Sequence, residues 1–218
     1  MRLTVLDESH AGDHFYIRPE DNCAFLREYT RGRGFEFSAT NSLISNLKKP
    51  MDRKGRPEWR HKERAIRQAA AELKGAIHPD WLARAVLVPI PPSKSKDNPL
   101  HDDRVHKICE HVAPGGGVRD LVIQTQSTRA SHESDEGERV TVEELLEVYR
   151  IDESLATPAP QTIGIVDDVL TAGTHFRAMS DTLSQRFPDI PIFGLFIARR
   201  VFPDVSFEDF GFGPLEDE

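Results

Sequence analysis

From residue 58 onward the chain alternates between two kinds of hydrophobic pattern. One is helical. Trp59, Ile66, Ala69, Ala70 and Leu73 recur at a spacing of about 3.6 residues and predict a helix over 58–74, with Gly75 as its stop. Val105, Ile108, Cys109 and Val112 do the same over 101–112. Thr141 followed by Glu144 is a capping box that opens a helix reaching Tyr149, and a last helix is predicted over 174–186. The other pattern is short and continuously apolar: 85–88, 121–123, 162–166 and 191–198. Such runs fit strands buried on both faces. The order strand, helix, strand, helix, strand, helix, strand predicts an α/β architecture, a mostly parallel sheet flanked by helices.

The N-terminal part reads differently. Pro19 and the following EDNCAFLREY predict a short helix with Cys23, Leu26 and Tyr29 inward. NSLISNLK, residues 41–48, predicts another, started by Thr40 or Asn41 and ended by Pro50. Residues 1–80 are therefore expected to form an irregular, helical N-terminal cap, residues 81–200 the core, and residues 201–218 an acidic tail.

Composition narrows the class. A chain of 218 residues suits one domain with a proper core. No run approaches the roughly 18 apolar residues of a membrane span, and the His- and acid-bearing N-terminus does not read as a secretory leader. Cys23 and Cys109 lie far apart and outside any CxxC pair, which fits two buried thiols in a reducing cytoplasm. Cytoplasmic location and no membrane partner are expected. A net charge of −8 argues against a whole surface that grips a polyanion. One stretch departs from that balance: Lys48, Lys49, Arg53, Lys54, Arg56, Arg60, Lys62, Arg64 and Arg67 face only Asp52, Glu58 and Glu63. Nucleic acid would touch the protein there, and the plainer reading is a solvated helix face. His101, His106 and His111 sit five apart, not at the i, i+4 spacing of a helical zinc site.

The loops that would leave the carboxyl ends of the strands carry the chemistry, because ligands bind there in open α/β sheets. After 162–166 come Asp167 and Asp168, then Val169, Leu170, Thr171, Ala172, Gly173 and Thr174. A buried strand delivers two carboxylates to its tip, and a small, hydroxyl-bearing loop runs into a helix. Backbone N–H groups and the Thr171 and Thr174 hydroxyls can wrap a phosphate at the helix N-terminus, with Gly173 allowing close approach. The carboxylates suit sugar hydroxyls or a bridging cation. A P-loop hydrolase would need GxxxxGK[ST] upstream, and none is present.

IGIVDDVLTAGTH resembles the phosphoribosyl-pyrophosphate (PRPP) signature of type I phosphoribosyltransferases: hydrophobic strand, acidic pair, small loop with Thr and Gly. The resemblance implies that fold over about residues 83–200. It implies Mg²⁺-dependent transfer of a 5-phosphoribosyl group from PRPP to a nitrogen nucleophile, a base or an amine, with pyrophosphate release. Asp167 and Asp168 would take the catalytic, ribose-binding role and hold Mg²⁺ together with PRPP. Val169, Leu170, Thr171, Ala172, Gly173 and Thr174 would hold the 5′-phosphate, Val169 through its backbone alone. Ser93, Lys94, Ser95 and Lys96 would hold pyrophosphate. Residues 124–139 would be the family's flexible loop, with Arg129, His132 and Arg139 touching pyrophosphate. The proline-rich exit from the first strand and the Ala198-Arg199 ending of the last look closest to the ComF-like branch, and more loosely to the amidophosphoribosyltransferase catalytic domain. That branch leaves open a non-catalytic PRPP- or nucleotide-binding regulator of the same fold, and a homodimer. Phe207, Phe210 and Phe212, or residues 29–49 with Asn41, Asn46 and Lys48, are candidates to cover a base. Asp102 and Asp103 read as helix-capping acids. Replacing both Asp167 and Asp168 by Asn is expected to abolish PRPP binding and leave the fold intact.

Overall fold

The computed structural model describes residues 1–128 and 140–203. At its centre is a five-stranded sheet in the order β1-β2-β7-β6-β3. These strands are β1 (Thr4–Val5), β2 (Asn22–Thr30), β3 (Ala85–Pro89), β6 (Thr162–Leu170) and β7 (Ile192–Val201). The contacts β2–β7, β7–β6 and β6–β3 are parallel, and β1 adds one antiparallel edge. The protein is thus α/β with a mostly parallel, mixed sheet.

Helices cover both faces. On one side α1 (Ala39–Leu47), α2 (Trp59–Ala76) and α4 (Arg104–Val112) pack through Leu47, Ala69, Leu73, Ile108 and Val112 against Leu87, Val166 and Ile197 of the sheet. On the other, α5 (Val142–Val148) and α6 (Thr174–Arg186) pack through Leu145, Phe176, Met179 and Leu183 against Val88, Ile165 and Phe196. A one-turn helix, α3 (Pro79–Leu82), leads into β3. Gly194 sets the distance of α6 from the sheet. A Cβ there would lie 2.7 Å from Cys23 Sγ and 2.8 Å from the Phe176 ring, so only glycine lets that ring lie on β7.

Three expectations are corrected. The stretch read as a helix after Pro19 is the nine-residue strand β2. Its residues fit both periods, and the ladder with β7 from Asn22↔Phe193 to Thr30↔Val201 decides between them. Cys23 and Leu26 therefore face opposite sides of the sheet rather than one helical stripe. Residues 1–80 do not stand apart as an irregular cap, since they supply two strands and the helices α1 and α2. The run near 121–123 does form a strand, β4 (Val122–Gln124), but it pairs antiparallel with β5 (Tyr149–Ile151) in a separate two-stranded sheet. On the edge of β3 away from β6, the described residues form a single bridge, Leu87↔Val118. Smaller shifts are that Ser38 caps α1 through its hydroxyl and that α2 runs past Gly75. The capping box of Thr141 and Glu144 forms as expected.

Candidate functional site

β3 leads towards α4 on one face and β6 towards α6 on the other, so the two crossovers part at the β3–β6 seam. A parting of this kind leaves a crevice beyond the strand ends. A cavity of about 370 Å³ sits there. The loop after β3 gives it Pro91, Pro92, Ser93 and Lys94, and the start of α4 gives Asp102 and Arg104. The end of β6 and start of α6 give Asp167, Asp168, Val169, Thr171 and His175, and the chain after α1 gives Lys48, Met51 and Asp52.

β6 continues to Leu170, further than its apolar run, with Val169 paired to Ala198 and Leu170 to Arg199. Neighbouring side chains on a strand point to opposite faces, so the two carboxylates separate. Asp168 is buried towards α4. Its Oδ2 accepts from Arg104 Nε at 2.7 Å, and Lys48 Nζ lies 3.5 Å from its Oδ1. Arg104 Nη1 also donates to Asp102 Oδ2 at 2.7 Å. Lys62, on the inward face of α2 and 2% exposed, donates to that same oxygen at 2.7 Å. The Lys62 ammonium spends its other hydrogens on the carbonyls of Leu47 at 2.6 Å and Lys49 at 3.0 Å. The end of α1, the start of α4 and the tip of β6 are thereby tied into one chain of charges. Burial works to raise the Asp168 pKa, but Arg104 and Lys48 outweigh it and hold the carboxyl well below the usual range.

Asp167 has other neighbours. Burial, and then repulsion from the Asp168 carboxylate, push its pKa up to about 7. Its Oδ1 accepts from the Asp168 N–H at 2.7 Å, while Oδ2 accepts no hydrogen bond among the described residues. Nearby, the Tyr149 hydroxyl meets Nδ1 of His175 at 3.0 Å. Burial, followed by the Lys48 charge, lowers the His175 pKa to about 4, so this imidazole is neutral at pH 7.

The turn from β6 into α6 is only Thr171, Ala172 and Gly173. Gly173 caps α6 with φ 88°, a conformation that disfavours any side chain, and a Cβ there would lie 3.0 Å from the Ile17 side chain. The N-terminal segment takes the carbonyls of the turn: His14 Nδ1 donates to Thr171 O at 2.5 Å and Tyr16 N–H to Ala172 O at 2.8 Å. The N–H groups of Thr171, Ala172 and Gly173 find no acceptor among the described residues. Together with the first turn of α6 they form a nest of free donors.

The structure brings Ser93, Lys94, Asp167, Asp168, Val169 and Thr171 to one cavity, while Ala172, Gly173 and Thr174 shape its turn. Leu170 is corrected: it is a buried ladder residue, 1% exposed, in the core on the α6 side. Ser95 and Lys96 are corrected as well, because the loop turns away after Lys94. Ser95 N–H and Oγ meet Ser127 Oγ at 3.1 and 3.0 Å, and Lys96 Nζ pairs with Asp120 at 2.9 Å. Arg129, His132, Arg139, Phe207, Phe210 and Phe212 lie outside the described residues. Gln124 and Thr128, just before that segment, both hydrogen-bond the Ser93 carbonyl. Asp102 caps α4 as expected, its Oδ1 accepting from the Arg104 N–H at 3.3 Å, and its Oδ2 also holds Lys62 and Arg104.

Sequence reasoning places none of Arg104, Lys62, Tyr149 or His175 in this site, and counts Lys62 only in the basic stretch 48–67. A signal for Lys62 exists, since it falls between Trp59 and Ile66 on the apolar stripe of α2. A scan against protein-family models finds no match, and a search of curated proteins finds none either.

Among the described residues no group of three or more His, Cys, Asp or Glu side chains could hold a metal ion by itself. Mg²⁺ is commonly held by one or two carboxylates together with substrate phosphates. The free Oδ2 of Asp167 on the cavity wall fits that mode.

Proposed function

We propose that the cavity binds PRPP and that the protein transfers its 5-phosphoribosyl group to a nitrogen nucleophile, releasing pyrophosphate. One observation carries this reading: Ser93 and Lys94 from the loop after β3, Asp167 and Asp168 from the end of β6 and Thr171 from the turn after it line a single cavity at the seam where the crossovers part. In the reaction the bond from ribose C1 to the pyrophosphate oxygen breaks, a C1–N bond forms, and the nucleophile gives up a proton. The free N–H groups of residues 171–173 and the Thr171 hydroxyl bind the 5′-phosphate. Asp167 faces the ribose hydroxyls, and a carboxyl that titrates near pH 7 can also take up the proton. Lys94 binds the diphosphate with Ser93, and Lys48 and Arg104 add positive charge on that side. Mg²⁺ carried on the diphosphate would neutralise leaving-group charge.

A second reading shares the ligand and omits the chemistry. The observation in its favour is that Asp168 is already neutralised by Arg104 and Lys48, which leaves one carboxylate where the resemblance implies two. PRPP titration by calorimetry, with Mg²⁺ and with chelator, tests both. A pyrophosphate-release assay against bases and ammonia follows. Mg²⁺-dependent binding with release is expected. Binding without release across the panel selects the non-catalytic reading, and no binding at all overturns both.

A further inference from the structure

We propose that His175 binds the 5′-phosphate of the ligand as a neutral imidazole, its Nε2–H held as the donor by the Tyr149 hydroxyl. The inference rests on the phosphate reading of the cavity and adds a residue that this reading does not use. Tyr149 is 2% exposed, and the one hydrogen-bond partner of its hydroxyl among the described residues is His175 Nδ1, at 3.0 Å. Burial, reinforced by the nearby Asp167, raises the phenol pKa well above its usual value, so the hydroxyl keeps its proton. A buried O–H must donate, and Nδ1 is the acceptor within reach. Nδ1 therefore carries the lone pair, and the ring proton sits on Nε2.

The surroundings keep the ring uncharged. His175 lies in the first turn of α6, where the helix dipole disfavours a cation. Lys48 disfavours it too, and the Asp168 carboxylate that would favour it is already paired with Arg104. Asp167 and Tyr149, the other titratable groups here, carry at most one partial negative charge at pH 7. The imidazole is half-buried, lines the cavity, and has no partner for Nε2 among the described residues. It stands one turn from the free N–H groups of residues 171–173. A phosphate seated on those amides gains a further donor with no added charge.

Ribose 5-phosphate is the probe, because it presents the phosphate end without a diphosphate. His175→Ala is expected to weaken its binding about tenfold to a hundredfold, the loss typical of a hydrogen bond to a charged group. His175→Gln, which keeps a neutral N–H donor, is expected to recover most of that loss. Nitrogen-15 NMR of histidine in the ligand-free protein is expected to show the Nε2–H tautomer at pH 7. Tyr149→Phe is expected to relax that preference to the weaker one of a free imidazole, to release the ring from its anchor and to weaken binding about threefold to tenfold. An Nδ1–H tautomer or an imidazolium in the wild type overturns the proposal. So does unchanged ribose 5-phosphate affinity in folded His175→Ala, or in folded Tyr149→Phe should the alanine variant not fold. Failure of both PRPP and ribose 5-phosphate to bind the wild-type chain overturns the phosphate reading of the cavity instead.

Discussion

On the α4 side of β6, Asp168 closes a chain of charges that runs through Arg104 and Asp102 to Lys62, with Lys48 at its open end. On the α6 side, one residue earlier, Asp167 shares the cavity wall with His175 and lies near Tyr149, both neutral at pH 7, and titrates near pH 7 itself. The strand's alternation puts identical side chains into opposite electrostatic settings. The first is neutralised and fixes the geometry of three elements. The second keeps one carboxylate oxygen without a hydrogen bond among the described residues, at a cavity wall, which is where proton and ligand chemistry becomes available.

The largest way to break this comparison is to open the charge chain. Arg104→Met leaves the buried Asp168, among the described residues, with the 3.5 Å contact to Lys48 as its one remaining ion pair. Removing one partner of a buried pair costs about 3–5 kcal/mol. Urea unfolding is expected to show that loss. Asp167→Asn, which removes an acid that already resists ionisation, is expected to stay within about 1 kcal/mol of wild type or to gain. Equal losses in the two variants would mean that the carboxylates are not differentiated. For the same reason the double Asn variant is no longer expected to leave the fold untouched, since it strands Arg104 and Lys48 beside a neutral amide.

A second effect separates the two acids by pH. Asp167 titrates near 7 in the folded chain against 3.8 as a free side chain. The folded state therefore holds the extra proton between those values, and stability falls as pH rises from about 4 to about 7. Asp168 runs the other way. Its folded pKa is depressed, so its contribution is present above about pH 4 and drains away on further acidification. Unfolding midpoints of Asp167→Asn across about pH 2–8 are expected to lose the first slope and keep the second. A variant that retains the wild-type slope between pH 4 and 7 would show that another group sets it.

The division of labour explains what could be read in advance. Runs such as 85–88 and 191–198 are apolar because both faces are covered, and that is visible in one dimension. The strand β2 was not, because Cys23, Phe25 and Leu26 serve either period and its partner β7 lies some 170 residues away (Asn22 to Phe193). The acidic pair and its turn were legible as a local motif. The cations that discriminate between the two acids come from residues 48, 62 and 104, on three elements, and only packing brings them together. Lysines 94 and 96 look equivalent in sequence, yet one lines the cavity and the other pairs with Asp120.

Lys48 gives the finest test of the contrast, because it belongs to both regions. Its side chain is about a third exposed (32%) and its contact with Asp168, at 3.5 Å, is longer than that of Arg104 at 2.7 Å. An ion pair of that kind contributes about 1 kcal/mol or less, and Arg104 continues to hold Asp168 when it is gone. Lys48→Ala is therefore expected to unfold within about 1 kcal/mol of wild type. The same ammonium lines the cavity on the side assigned to the diphosphate, where its charge acts on ligand rather than on fold. PRPP affinity is expected to fall about tenfold in the variant, with ribose 5-phosphate affinity almost unchanged. A variant that loses stability as Arg104→Met does, while binding PRPP normally, would place Lys48 wholly in the structural chain and move the border between the two regions to the cavity wall itself.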